Sequence, residues 1–147
     1  MAILNTGLNA LPAGTITRAG VSATEYGKFE ADVLAGSAVV YNSANGTFRA
    51  MKDGDKAADV YGIAANVVPS TAQEGAIFVR GYIAVKVVGD VVPVRGKPVY
   101  VRIKANAGKV IGAFESASVT SENEALPNAV WALDGKSVDG LAEIRVL

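Results

Sequence analysis

Six of the chain's 14 acidic residues fall into two groups whose spacing could do chemistry. Asp53, Asp55 and Asp59 crowd one polar loop, which would offer several oxygen ligands to a hard cation such as calcium. That loop lacks the twelfth-position glutamate of an EF-hand and carries Lys56 in its middle, so a solvated turn is the competing reading. Glu115, Glu122 and Glu124 would supply paired carboxylates for acid–base work, but such a pair needs a fixed spacing inside a cleft. These three lie in a Ser/Glu-rich stretch, residues 115–128, that reads as a polar loop with one capped helical turn at 121–124 before Pro127. Asn45-Gly-Thr47 matches a glycosylation acceptor and equally a tight hairpin turn. Histidine and cysteine are both absent, which removes the commonest general base, disulfides and thiolate metal sites. No Gly-rich phosphate loop precedes a helix. The sequence points away from catalysis, and no cofactor or metal is expected.

Charge narrows the partners. Lys+Arg and Asp+Glu each number 14, so no net field draws in nucleic acid or an anionic membrane. Arg80 and Tyr82 share a strand face, and Tyr100 lies near Arg102, which are combinations that stack bases in OB-like barrels. An aromatic content of 7% weighs against that use. No direct nucleic-acid contact and no membrane contact are expected. No apolar run is long enough for a transmembrane helix. The first residues lack a basic n-region and an apolar h-region, so no signal peptide is expected and synthesis in a cytosol is.

The elements that position these residues read as strands. Residues 76–88 form a long apolar stretch in which Ile77, Val79, Gly81, Ile83, Val85 and Val87 make one clean face, with a bend or bulge expected at Gly81. Residues 38–41 and 47–50 flank Asn42-Ser-Ala-Asn-Gly46, a strong hairpin signal. Residues 60–68 read as a strand broken near Gly62, and 69–75 as a loop. Residues 97–104 alternate with Val99, Val101 and Ile103 on one face and Tyr100, Arg102 and Lys104 on the other. Residues 109–114 read as its hairpin partner, and 91–94 as a short edge strand interrupted by Pro93. Residues 129–133, with the lone Trp131 as a core anchor, and 141–147 complete the set. Residues 15–18 form a short first strand, and Ser22-Ala-Thr-Glu25 matches a capping box opening a short helix. Many short strands with glycine-rich turns predict a sandwich or barrel.

Several segments together carry a resemblance: Pro12-Ala-Gly-Thr-Ile-Thr-Arg18, Ala35-Gly-Ser-Ala-Val-Val-Tyr41, Val60-Tyr-Gly-Ile-Ala64, residues 76–85, Gly96-Lys-Pro-Val-Tyr-Val-Arg102, Gly108-Lys-Val110, Trp131 and residues 141–146. Their order and spacing resemble the structural cement, or capsid decoration, proteins of tailed bacteriophages. The resemblance implies an all-β protein that sits on the outer surface of the virion capsid, made in the host cytoplasm. It implies binding to the major capsid protein, bridging of adjacent subunits, and a homotrimer. It supplies no catalytic residue.

The fold expected is a small β-sandwich or barrel-like (β-tulip-type) domain over residues 15–147, with an extended N-terminal arm over residues 1–14. In the arm, Ile3, Leu4, Leu8 and Leu11 have little apolar company, so they are expected to be buried on a capsid partner or folded back on the body. Arg18, where the arm meets the body, joins them as a candidate capsid contact. A phage tail, fibre or baseplate β-module and a lectin-like binding domain are the competing classes. The role of 115–128 is left open by the resemblance.

Overall fold

The computed structural model describes residues 11–66 and 74–147. Strands dominate: β1 (Ala23–Lys28), β2 (Ala38–Asn42), β3 (Thr47–Ala50), β4 (Val60–Ala64), β5 (Glu74–Lys86), β6 (Pro98–Arg102), β7 (Phe114–Glu115), β8 (Asn123–Trp131) and β9 (Leu141–Val146). They run in the order β3-β2-β4-β5-β9-β8-β6-β7, with β1 added on β5, and all these pairings are antiparallel. The sheet curls into a half-barrel, as expected of an all-β, barrel-like chain. Its concave side holds the main core, where Val40, Ile63, Phe78, Ile83, Val85, Val101, Phe114, Trp131 and Ile144 pack together.

Strand β5 is the spine, and Gly81 divides it. Before Gly81 it pairs with β1 and β4; from Gly81 onward it pairs with β9. The expected single odd-numbered face does not hold along its whole length. Phe78 joins Ile83 and Val85 in the main core, whereas Ile77 and Val79 pack into a second cluster with Phe29, Val39 and Phe48. The inward parity therefore slips by one residue across Gly81, whose φ is +108°. A Cβ there would lie 2.3 Å from the Ser22 hydroxyl oxygen, so only glycine fits the slip and the close approach.

The 38–50 hairpin forms in register, Asn42 opposite Thr47. Other expectations are corrected. Ser22–Glu25 caps no helix: a 3-10 turn at Ala19–Val21 precedes it and β1 begins at Ala23. The Ser22 hydroxyl instead donates to the Arg18 carbonyl (2.7 Å) and accepts the Tyr82 N–H (3.1 Å), tying the turn to β5. Residues 91–94 form no strand, because their groups serve turns: Pro93 O accepts Gly135 N–H and Val94 O accepts Lys97 N–H. Residues 109–113 form no regular strand: the chain turns at Gly112 (φ +86°), where Gly112 N–H donates to Arg102 O and Ala113 O accepts Arg102 N–H (both 2.9 Å), and the regular ladder with β6 is confined to Phe114–Glu115. No helical turn forms at 121–124. Ser121 takes φ +63°, β8 starts at Asn123, and Pro127 sits inside β8 where its register with β6 shifts. Strand β4 ends at Ala64, and residues 67 and 68 of the expected strand lie outside the described residues, as does most of the 69–75 loop.

Candidate functional site

Residues 14–17 hold the root of the N-terminal segment against β5. Gly14 N–H donates to Ala84 O (2.7 Å), Ala84 N–H to Thr15 O (2.9 Å), and Thr17 N–H to Tyr82 O (3.2 Å). Ile16 bridges Ile83. This short ladder occupies the edge of β5 opposite β9, so the expected first strand is present in reduced form. Gly14 (φ +85°) is also pressed against neighbouring chain, since a Cβ on it would lie 2.9 Å from Ala64 O and from Gly36 N. The point from which the preceding residues leave the body is thus fixed by backbone on two sides.

Side chains reinforce that root. Glu143 of β9 is buried, accepting the Thr17 hydroxyl (2.6 Å) and an Arg18 Nη2 hydrogen bond (2.8 Å). The Arg18 guanidinium also lies 4.1 Å from the Tyr82 ring centroid, a cation–π contact. A buried carboxylate needs such partners, because desolvation without them is costly. Leu11 packs with Ala13 against Ala84 and Leu141 of its own body. Ile3, Leu4 and Leu8 lie outside the described residues.

The two carboxylate groups that drew attention in the sequence are engaged elsewhere. Arg102, expected on an outward face, is buried because the 115–123 loop covers that side of β6. It grips Glu115 with two hydrogen bonds of 3.0 Å and Glu122 with one of 2.8 Å. Lys109 (2.9 Å) and Asn123 (2.8 Å) complete the shell of Glu115. Burial alone would push the Glu115 carboxyl up, but the hydrogen bonds from Arg102, Asn123 and Lys109 overcome it and hold it below the ordinary range. Hydrogen bonds from Arg102 and then Asn106 hold Glu122 low as well. Glu124 is separate, accepting Ala57 N–H (2.9 Å). Two of the three glutamates therefore meet, but around an arginine that neutralises them, which suits a staple for the 115–123 loop better than acid–base work.

In the aspartate loop, Asp55 takes Arg49 in a bidentate pair (2.6 and 2.9 Å) and Asp59 takes Lys56 N–H (2.8 Å). Among the described residues, no acidic group is arranged to hold a metal ion. Asn45 lies in the β2–β3 turn, which closes through Gly46 at φ +67°. Sequence reasoning missed the Arg102 network because alternation along β6 assigns Arg102 to solvent. The usable signal was its neighbours: two glutamates and a lysine, 7 to 20 residues away, on a segment that must fold back over a strand carrying one arginine.

A curled antiparallel β-body whose polar side chains bind one another, with an N-terminal segment rooted on its central strand, is the architecture of a structural β-protein. The fold is similar to that of a chain in the capsid of Myoviridae phage XM1, with a TM-score of 0.75 and 19% identity, covering 92% of this chain and 89% of that one. The family model of the XM1 gp53 minor capsid protein matches residues 1–146, and the chain belongs to that family. It is a capsid-associated structural protein of a phage virion. No curated protein matches it.

Proposed function

We propose that the protein is a capsid decoration, or cement, protein that binds the outer surface of the assembled shell and bridges adjacent major capsid protein subunits. The observation that carries this reading is the family match over residues 1–146, and the rooted N-terminal segment supports it. Packaged DNA strains a shell at the seams between subunits. A ligand that binds only the assembled lattice stabilises that state by mass action. In this reading residues 11–14 are the root, and residues 1–10 are the arm that reaches a neighbouring subunit, with Ile3, Leu4 and Leu8 filling pockets while its backbone extends an exposed sheet edge. Leu11 and Arg18 hold the root. A homotrimer would engage several subunits at once, and linked attachment raises effective affinity by roughly a hundredfold or more over one contact.

The test is sedimentation with purified shells that lack this protein. The full chain is expected to pellet with the shells and to raise their disruption temperature. A chain lacking residues 2–10, which keeps Leu11 and the ladder, is expected to fold and to remain in the supernatant. Undiminished pelleting of the shortened chain would remove the arm from the mechanism.

A further inference from the structure

Beside the root of the arm, a cleft of about 190 Å³ opens between the 34–37 loop, the end of β5 and the 110–114 turn. Ala13 of the root forms part of its wall, and a Cβ on Gly36 would lie 2.8 Å from the Ala13 Cβ, so root and loop touch. The buried Phe114 and the half-buried Ile111 also line it. Leu34 and Val110 line it too, yet they stay 70% and 65% exposed. Among the described residues of the lining, Lys86 alone is charged. Backbone hydrogen bonds fix the walls: Gly36 N–H donates to Ala64 O (2.7 Å), Val88 N–H to Phe114 O (2.9 Å) and Ala38 N–H to Gly112 O (3.4 Å). A cleft held this way loses little freedom when it is filled. Val138, 91% exposed, stands on the turn whose Gly140 O accepts Val87 N–H (2.8 Å), which adds a third bare apolar side chain at this end of β5. Bare apolar side chains gathered around one fixed cleft mark a docking surface.

We infer that this end of the body faces the shell, and that the cleft takes one apolar side chain, of leucine or phenylalanine size, from the major capsid subunit beside the arm. Pockets for small molecules usually run to about 300–1,000 Å³, so this cleft is too small for one. An apolar cavity of about 150 Å³ already holds a benzene-sized group, so a single ring or branched side chain fits. Uncharged walls select an apolar occupant, and anchors seated in pockets carry much of an interface's affinity. The place of the root selects the source. Residues 1–10 join the body at Leu11, two positions before Ala13 in the cleft wall, and ten residues reach at most about 36 Å. A subunit that captures Ile3 and Leu4 therefore lies within that distance of the cleft. Leu11 itself is already placed, packed with Ala13 against Ala84 and Leu141, and it does not line the cleft. The partner named here rests on the capsid-attachment reading; the apolar chemistry rests on the cleft alone.

The chain has no cysteine, so one introduced thiol carries a label at one known place. Full-length Leu34→Cys, Val110→Cys and Val21→Cys, each bearing a benzophenone maleimide, are added to shells that lack this protein and illuminated. Val21 is the control: it is exposed, and its neighbour Ser22 touches Gly81, about 17 Å back along β5 from Lys86. Labels at 34 and 110 are expected to join covalently to the major capsid protein, and the label at 21 is not. A label that blocks attachment at 34 and 110 but not at 21 assigns the same face. The doubly charged variant Leu34→Glu, Val110→Glu is expected to attach about tenfold more weakly or worse, with the urea midpoint of the parent. Crosslinks between two copies of this chain would give the cleft to a second copy, and crosslinks to residues 1–10 would give it to the chain's own arm; either overturns the inference. So would equal crosslinking from all three positions, pelleted chains with no crosslink from 34 or 110, or full attachment by the charged variant. Failure of the unsubstituted chain to pellet would overturn the attachment reading itself, a result distinct from a chain that pellets without these crosslinks.

Discussion

Arg102 and Glu115 form a two-pronged ion pair between β6 and β7, with Nε–Oε2 and Nη2–Oε1 both at 3.0 Å and side chains only 1% and 4% exposed. It fastens the 115–123 loop over a strand that would otherwise present an open polar face. Removing Arg102 strips the buried Glu115 carboxylate of its two-pronged partner and leaves it only Lys109 and Asn123, whereas removing both members of the pair leaves no such buried charge. Arg102→Met is therefore expected to cost about 3–5 kcal/mol in urea unfolding. Joint replacement with Glu115→Leu is expected to recover much of that loss. A single variant as stable as the parent would show that the network does not hold the loop.

The same network sets the response to acid. Glu115, Glu122 and Asp55 all have folded carboxyls below their ordinary values of 4.5, 4.5 and 3.8. For Asp55 the largest cause is the Arg49 hydrogen bond. A depressed folded value means that the folded state favours the ionised form. Its stabilisation is complete above the unfolded value and is lost as pH falls through the folded one. With no histidine, no side chain of ordinary pKa titrates between about pH 5 and 8. The urea midpoint is expected to be flat across that window and to fall steadily below about pH 4.5. A midpoint that drops between pH 7 and 5.5 would contradict this.

Gly81 is expected to tolerate no side chain. Its φ of +108° and the 2.3 Å approach to Ser22 combine strain with a clash. Gly81→Ala is expected to destabilise by about 2–3 kcal/mol in thermal or urea unfolding. Gly20→Ala, where an added Cβ meets nothing within 4 Å, is the control and is expected to be near neutral. Equal stability of both variants would mean that the parity slip does not depend on glycine.

The ladder at residues 14–17 predicts a graded effect on the arm root. Thr17→Val removes the hydroxyl that donates to the buried Glu143 at 2.6 Å. Loss of such a charge-assisted hydrogen bond is expected to cost about 1.5–3 kcal/mol. Amide exchange at Gly14 and Thr17, whose N–H groups bond to β5, is expected to speed up more than exchange at Ile144 in the core. Uniform acceleration across these sites would assign the bond to general stability instead of the root.

Much of the fold was readable from alternation and turn chemistry. Asn42–Gly46 announces its hairpin, and Val99, Val101 and Ile103 share a buried face as their spacing says. What alternation could not reveal is where a second layer covers the outer face. That is why Arg102, set by alternation on the face away from Val99 and Val101, is buried, and so is Glu143, which alternates with Ala142 and Ile144. Alternation also assumes an unbroken pleat, and Gly81 breaks it, placing Phe78 rather than Ile77 in the main core. The helix-cap patterns at Ser22 and Ser121 were locally sound, but strand pairing outweighed them: Ala23 to Lys28 found β5, and Asn123 onward found β6.

The central claim is attachment to the outside of the shell across subunit seams. A cryo-microscopy map of the native virion tests it most directly. The account predicts density for the half-barrel on the outer capsid surface, with residues 1–10 extending onto a second major capsid subunit. Density for this chain inside the shell, in the tail or baseplate, or resting on one subunit with no second contact would contradict it.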